Sequence, residues 1–230
     1  TNGTANITNS GEKGINLAST GKITNDDAKL TISNTGKGGV NVKGITTSKG
    51  LAVSSKNGNV VIGDKTDNNY YMTSTADADF NVENASLLNY GVAKTLVVAK
   101  GNLKATAKDG TIGLEVGPCD GGVCTGVGPD ERDLTKSINV KVDGTVSAET
   151  KQDTKTDALV INMASLDSNM NVDRINADGR VILLADDSKT KGATAYNIVN
   201  SATDKSKANV EGLGISIISS GNIGASDKAL

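Results

Sequence analysis

The chain has 230 residues and a formal net charge of −2, with no Trp, no His, one Phe and four Tyr. Its 24 basic and 26 acidic residues are intermixed, so no basic stripe points to nucleic acid or an anionic bilayer as a partner. Without His, a Ser-His-Asp or Cys-His catalytic arrangement is impossible within this chain. No apolar run approaches the roughly 20 residues of a membrane span, so we expect no direct insertion of this segment into a membrane.

Short apolar segments recur about ten residues apart in the first part of the chain, and each is closed by Gly, Asn, Asp or Lys. They are residues 30–32, 40–42, 51–53, 60–62, 71–72 and 80–82. Alternate members lie about 20 residues apart, a period typical of a β-solenoid, in which each coil buries its apolar face against the next. The sequence therefore predicts an all-β solenoid of about 11 coils, roughly 50 Å long at the usual strand spacing.

The same pattern continues towards the C-terminus, with period-two alternation that favours half-buried strands. The later segments are residues 95–98, 103–107, 112–116, 138–142, 145–149, 159–163, 170–172, 181–184, 215–218 and 222–224. Gly110 and Gly179 each follow an Asp, and such pairs are expected to supply a positive φ where a coil turns. Asn and Thr at strand ends are expected to form hydrogen-bonded ladders between coils.

The pulse persists through residues 1–230 without a Pro-rich or Ser-rich linker, which predicts a single elongated domain. Two stretches interrupt it, near residues 117–133 and 186–212, and we expect both to be loop excursions from the rod. Neither end of the sequence has a closing helix or polar cap, so we expect the chain to be a segment of a much longer protein.

The first excursion contains the only two cysteines, Cys119 and Cys124. Four intervening residues with two glycines can bring their Cα atoms to disulfide distance, which predicts a bridge and an oxidising compartment. Metal binding by this pair is the rival interpretation, but the chain offers neither His nor further Cys as ligands. The bounded tip is the candidate binding loop, comprising Asp120, Gly121, Gly122 and Val123.

Three stretches, residues 100–115, 170–187 and 218–230, resemble coils of the filamentous haemagglutinin-like and autotransporter-type bacterial surface adhesins. The resemblance implies a right-handed parallel β-helix. It also implies a large secreted or cell-surface protein, in many cases exported through an outer-membrane secretion partner.

Together these observations predict an extracellular structural stalk of an adhesin, whose partners are host or neighbouring-cell glycans or proteins. One alternative is a self-associating filament or matrix protein. Another is a glycan-binding module that uses the loop between the cysteines.

Two further chemistries were weighed against ordinary solvated turns. Asp186 and Asp187, with Asp173, Arg174 and Asp178 nearby in sequence, are the candidate residues of a polysaccharide-degrading site, in which Arg174 binds an acidic sugar. The scarcity of aromatic sugar platforms opposes that interpretation, and we expect no enzymatic activity and no cofactor. Acidic turns at residues 64–67, 77–79 and 130–133 are the candidate calcium ligands, although the Lys and Arg among them compete for the carboxylates.

Overall fold

The computed structural model describes residues 3–18, 20–63, 71–89, 97–114, 119–120, 123–124, 134, 136–152, 159–187, 190–224 and 230, and at 119–120 and 123–124 it describes the backbone alone. These residues form strands and turns, without a helix. Accordingly, the described part of the chain contains no helix long and apolar enough to cross a membrane. The strands are β1 (Ala5–Asn9), β2 (Ile15–Leu17), β3 (Lys22–Asn34), β4 (Val40–Val42), β5 (Ile45–Ser55), β6 (Val60–Ile62), β7 (Met72–Ser74), β8 (Ala78–Glu83), β9 (Leu87–Asn89), β10 (Val97–Ala99), β11 (Leu103–Lys108), β12 (Cys119–Asp120), β13 (Val123–Cys124), β14 (Ile138–Val142), β15 (Val146–Lys151), β16 (Ile161–Leu166), β17 (Met170–Asn176), β18 (Arg180–Asp186), β19 (Ile198–Asn200), β20 (Val210–Glu211) and β21 (Gly214–Ser219).

Apart from the β12–β13 hairpin, all of these strands pair in parallel and fall into three rows. Row A contains β1, the second halves of β3 and β5, then β8, β11, β15 and β17, followed by β19 and β20. Row B contains the first halves of β3 and β5, then β7, β10, β14, β16, β18 and β21. Row C contains β2, β4, β6 and β9 and continues through single bridges to Ile112 and Ile161. The expectation of an all-β chain is confirmed.

The repeat is longer than the predicted 20 residues. Ile15 pairs with Val40, 25 residues further on, whereas a step of 20 occurs between Val40 and Val60. Among the described residues, row A has nine successive positions from Ala5 to Ile223, so the prediction of about 11 coils is wrong. At the usual strand spacing these nine positions span about 40 Å.

The missing length lies in row B, whose early strands are polar and escaped the apolar pattern. Thr46 and Ser48 of β5 and Ser74 of β7 point inwards and are buried. Hydrogen bonds satisfy some of these hydroxyls: the Ser74 hydroxyl, for example, donates to the Asp77 carbonyl at 2.9 Å. A row that buries hydroxyls instead of methyl groups is invisible to a search for Val, Ile and Leu.

The core lies between the rows and is filled by every second residue of each strand. In β8, Ala78, Phe80 and Val82 are buried, whereas the intervening side chains are exposed. A fully buried Val, Leu or Phe contributes roughly 1.5–3 kcal/mol relative to its exposed state. The core is therefore one continuous column, extending from repeat to repeat along the whole stack.

Side-chain amides and carboxylates link the repeats at the corners between rows. Asp77 accepts a hydrogen bond from the backbone N–H of Asn102, one repeat further on. Asn169 accepts in the same way from Asn197, and Asn197 accepts from Asn222, at 2.8 and 2.7 Å. The expected ladders between coils are present, and they satisfy corner N–H groups that the strand ladders leave unpaired.

Glycines permit the close backbone approach that these corners require. A Cβ added to Gly110 would lie 1.8 Å from the carbonyl oxygen of Ala85 in the preceding repeat. The positive φ expected of Gly110 belongs instead to its neighbour Asp109, with φ 55°. Asp tolerates this left-handed conformation better than most residues, so here the glycine serves the packing and the aspartate serves the turn.

A second, smaller apolar cluster covers the outer face of row B. Leu134 packs there against Ala164, Leu166 and Leu184, and β16 and β18 are consequently buried on both faces. The carbonyl oxygen of Leu134 accepts hydrogen bonds from the amides of two buried side chains, Asn89 and Asn139. The chain is therefore fixed firmly to the stack where it returns from the first predicted excursion.

The second predicted excursion contains strands as well as loop. β19 and β20 both lie within residues 186–212, and both pair with β17. They are two and three residues long, and polar turns flank them, so the sequence offered too short an apolar run to distinguish them from loop.

Candidate functional site

A polar groove on the outer face of row A is the best-formed concave site among the described residues. It lies across β11, β15 and β17 and has a volume of about 270 Å³. Its lining residues are Lys104, Ala105, Thr106, Ser147, Ala148, Glu149, Asp173, Arg174 and Asn176. The charged and polar members are the outward-facing residues of three adjacent strands, so the groove is a direct product of strand register.

A β-bulge forms one wall of this groove. Val146 of β15 pairs with Val172 of β17, but Ser147 pairs with Arg174, so Asp173 is an extra residue in β17. Without the bulge, Arg174 would point into the core at the position that follows Val172 in the inward series. The bulge turns both Asp173 and Arg174 outwards, where both are half-buried. Bulges of this kind frequently re-aim side chains beside functional sites.

Ser147 and Asp173 fix one another across the groove. The Ser147 hydroxyl donates to the Asp173 carboxylate at 2.9 Å. A carboxylate can accept about four hydrogen bonds, so Asp173 retains capacity to accept from a ligand hydroxyl. The arrangement therefore presents a preoriented acceptor beside the guanidinium of Arg174.

Acidic side chains surround Arg174 on the side away from Ser147. Its Nη2 atom lies 3.4 Å from a carboxylate oxygen of Glu211, and both side chains are more than a third exposed. Asp204 also lies within electrostatic range of Arg174 and has a pKa lowered from 3.8. The main cause of that lower pKa is the hydroxyl of Ser206, which donates to the carboxylate, followed by the Ser206 N–H. An exposed ion pair of this kind contributes little to stability, so Arg174 can exchange Glu211 for a ligand at low cost.

The predicted carboxylate constellation is only partly brought together. Asp173 and Arg174 line the groove, whereas Asp178, Asp186 and Asp187 are not among its lining residues. Asp178 accepts a hydrogen bond from the N–H of Gln152. The paired carboxylates of the hypothetical acid–base site therefore lie on different parts of the stack.

Asp186 and Asp187 organise the turn that follows β18. Asp186 is buried, and its carboxylate accepts hydrogen bonds from the N–H groups of Asp187 and Gly192, at 2.7 and 3.0 Å. The Asp187 carboxylate accepts from the N–H of Thr190 at 2.9 Å. These contacts explain the two adjacent aspartates as turn-forming residues.

The candidate calcium turns are described only in part, because residues 64–67 and 130–133 lie outside the described residues. Of the third turn, Asp77 is engaged at a corner with Asn102, and Asp79 is an exposed residue of β8. Within the described residues, no group of three or more Cys, Asp or Glu side chains is placed to hold a metal ion.

The cysteine segment forms a short antiparallel hairpin. Cys119 pairs with Cys124 and Asp120 with Val123 in β12 and β13, while Gly121 and Gly122 lie outside the described residues. Directly opposed residues of an antiparallel pair have Cα separations of about 4.5–5.5 Å, which lie within the range that a disulfide spans. The backbone register is therefore compatible with the bridge. The bridge and the binding role of this loop remain predictions.

Most groove residues were missed by sequence reasoning. Lys104, Thr106, Ser147, Glu149 and Asn176 are separated by up to 72 residues in the chain and become neighbours only through the pairing of β11, β15 and β17. The available signal was the outward half of each alternating strand, but its use requires the register and the position of the bulge. Comparison with known proteins gives no further guide: no family model, no curated protein and no solved structure matches this chain.

Proposed function

We propose that this chain is a segment of a right-handed parallel β-helix that acts as a rigid shaft in a large extracellular bacterial adhesin. The observation that carries the proposal is the parallel pairing of each strand with one about 25 residues further on, repeated along three rows. Such a stack gives length for little mass and contains few interior hydrogen bonds that open independently. Its function is then mechanical reach, with adhesive contacts to cell-surface glycans or proteins made by parts that the shaft holds away from the cell.

The corner ladders and the continuous core support a shaft more than a compact binding domain. Each repeat contributes core side chains that contact the repeats on both sides, so bending at one repeat requires several contacts to be broken together. Export by an outer-membrane secretion partner and location at the bacterial surface are parts of the same proposal, and they rest on the resemblance of residues 100–115, 170–187 and 218–230 to adhesin coils.

A self-associating filament is the second candidate, and the two ends of the stack favour it. At one end, β1 and β2 each pair with a single neighbouring strand, and Ile7 and Ile15 are only partly buried. At the other end, Leu213 is 84% exposed and Ile215 is 51% exposed. Unpaired parallel edges that carry apolar side chains can accept another strand from a second molecule.

Sedimentation velocity over a wide range of protein concentration separates the two candidates. A shaft is expected to sediment as an elongated monomer with a high frictional ratio at every concentration. A filament protein is expected to form a ladder of larger species, and replacement of Leu213 and Ile215 by Lys should abolish it. A compact monomer with the frictional ratio of a globular protein would contradict both candidates.

A further inference from the structure

We propose that the row A groove is a binding site for a carboxylate-bearing saccharide, independent of any shaft function. The groove is the one defined above by β11, β15 and β17, and its ligand contacts are Lys104, Ser147, Glu149, Arg174 and Asn176. A second ligand class, the acidic peptide, is an outcome that the experiment below distinguishes.

The groove chemistry favours a hydrophilic ligand with many hydroxyl groups. Its outward residues offer hydroxyl, amide, carboxylate and cationic groups, and none of the described lining residues is aromatic. Carboxylates such as Glu149 accept from sugar hydroxyls, while Asn176 and Ser147 both donate and accept. Apolar side chains of a peptide would find no complementary pocket on these outward positions.

The backbone around the groove also argues against an extended peptide. β15 is paired on one side with β11 and on the other with β17, and β11 is paired in turn with β8. The strands therefore present no open edge in the groove to which a peptide strand could be added. Recognition has to come from side chains, as it does for a saccharide.

Two cations select for negative charge on the saccharide. Lys104 and Arg174 lie in the same outward column, with Ser147 between them, so they are two strand spacings apart, about 10 Å. The planar guanidinium of Arg174 suits a bidentate contact to a carboxylate. Its existing partner Glu211 is partly exposed and makes contacts of 3.4 and 3.5 Å, which are long for a charge-assisted bond.

The groove is nevertheless nearly neutral, because Glu149 and Asp173 offset Lys104 and Arg174. Asp79 is also the cross-strand neighbour of Lys104 on the side away from Ser147. We therefore expect a weak site, with a Kd of about 1 mM. Many copies of such a site along a cell surface can still give strong attachment through avidity.

The test is a chemical-shift titration of the isotopically labelled chain with an oligomer of galacturonic acid. The expected result is a saturable set of amide shifts confined to residues 104–106, 147–149 and 173–176. Arg174→Gln should weaken binding about tenfold or more, since a charge-assisted hydrogen bond is worth more than 1.4 kcal/mol. The matched control is Lys141→Gln, which removes an outward cation from row B and should leave binding unchanged.

Two further probes fix the ligand class. The methyl-esterified oligomer keeps the sugar scaffold and removes its charge, so it should bind at least several-fold more weakly. A short poly-glutamate peptide should bind more weakly than the acidic saccharide. Absence of saturable shifts up to about 10 mM, shifts located elsewhere, insensitivity to Arg174→Gln in a variant with an unchanged thermal midpoint, or equal or tighter peptide binding would each overturn the proposal.

Discussion

Asn102 and Thr145 are joined by two hydrogen bonds across consecutive repeats. The side-chain carbonyl of Asn102 accepts from the backbone N–H of Thr145 at 2.9 Å and from its hydroxyl at 3.0 Å. The two residues are 43 positions apart in the chain, because the first predicted excursion lies between them. A single side chain therefore helps to restore the stack after its longest interruption.

Replacement of Asn102 by Ala is expected to destabilise the chain by about 1 kcal/mol, because both bonds are lost and water can replace them only in part. Urea denaturation measures the change through the transition midpoint. Asn81→Ala is the control, since Asn81 is an exposed outward residue of β8, and it should shift the free energy of unfolding by less than about 0.5 kcal/mol. Equal effects of the two substitutions would show that the corner ladder does not stabilise the stack.

Gly110→Ala is expected to be far more damaging than its small size suggests. The new Cβ would meet the backbone carbonyl of Ala85, at 1.8 Å from the oxygen and 2.2 Å from the carbon. Backbone in a neighbouring repeat cannot move aside without opening the strand spacing, so the expected cost is about 3 kcal/mol or more. Gly3→Ala is the matched control, because a Cβ there has no atom within 4 Å. A thermal midpoint for Gly110→Ala that matches the control would contradict the close stacking of the repeats.

The carboxyl of Asp204 is expected to titrate below its ordinary pKa of 3.8. Because the folded pKa is depressed, any stabilisation from this group is present above the unfolded pKa and is lost as pH falls through the folded pKa. Ser206→Ala should raise the pKa more than Lys207→Ala does, since the Ser206 hydroxyl is its largest cause. Side-chain carbon NMR against pH measures all three values. The reverse order would show that charge, not hydrogen bonding, sets this pKa.

The facing positions of Cys119 and Cys124 predict a disulfide in protein purified without reductant. A thiol assay in denaturant should detect no free thiol before reduction and two per chain afterwards. Replacement of both cysteines by Ser should leave strand content unchanged, because the hairpin lies outside the three rows. Two free thiols in protein exported to an oxidising compartment would contradict the bridge.

Part of this fold could be predicted from sequence, and the limit has a physical cause. The apolar runs 40–42 and 60–62 were identified with the bounds of β4 and β6, because buried Val and Ile alternate there with outward residues. Row B was missed at Thr46 and Ser48, which are buried without being apolar. The repeat length was consequently underestimated.

The candidate site was less accessible to sequence reasoning than the fold. Asp173 and Arg174 were noted for their charges, but their common outward orientation depends on a one-residue register shift opposite Ser147. The partners Lys104 and Glu149 come from other strands of row A. Register between distant strands follows from packing of the whole column, which no local pattern specifies.

Distances between spin labels along one outward column test the stacked architecture most directly. Thr8, Ser33, Ser54, Asn81, Thr106 and Glu149 follow one another in register across row A. In a background with Cys119 and Cys124 replaced by Ser, one label is fixed at Glu149→Cys and the second is moved from Ser54→Cys to Ser33→Cys to Thr8→Cys. The stack predicts distances that grow by one strand spacing each time, about 14, 19 and 24 Å. Distances that do not increase in this order, or that change by much more than one spacing per step, would contradict the stacked parallel repeats on which the proposed shaft depends.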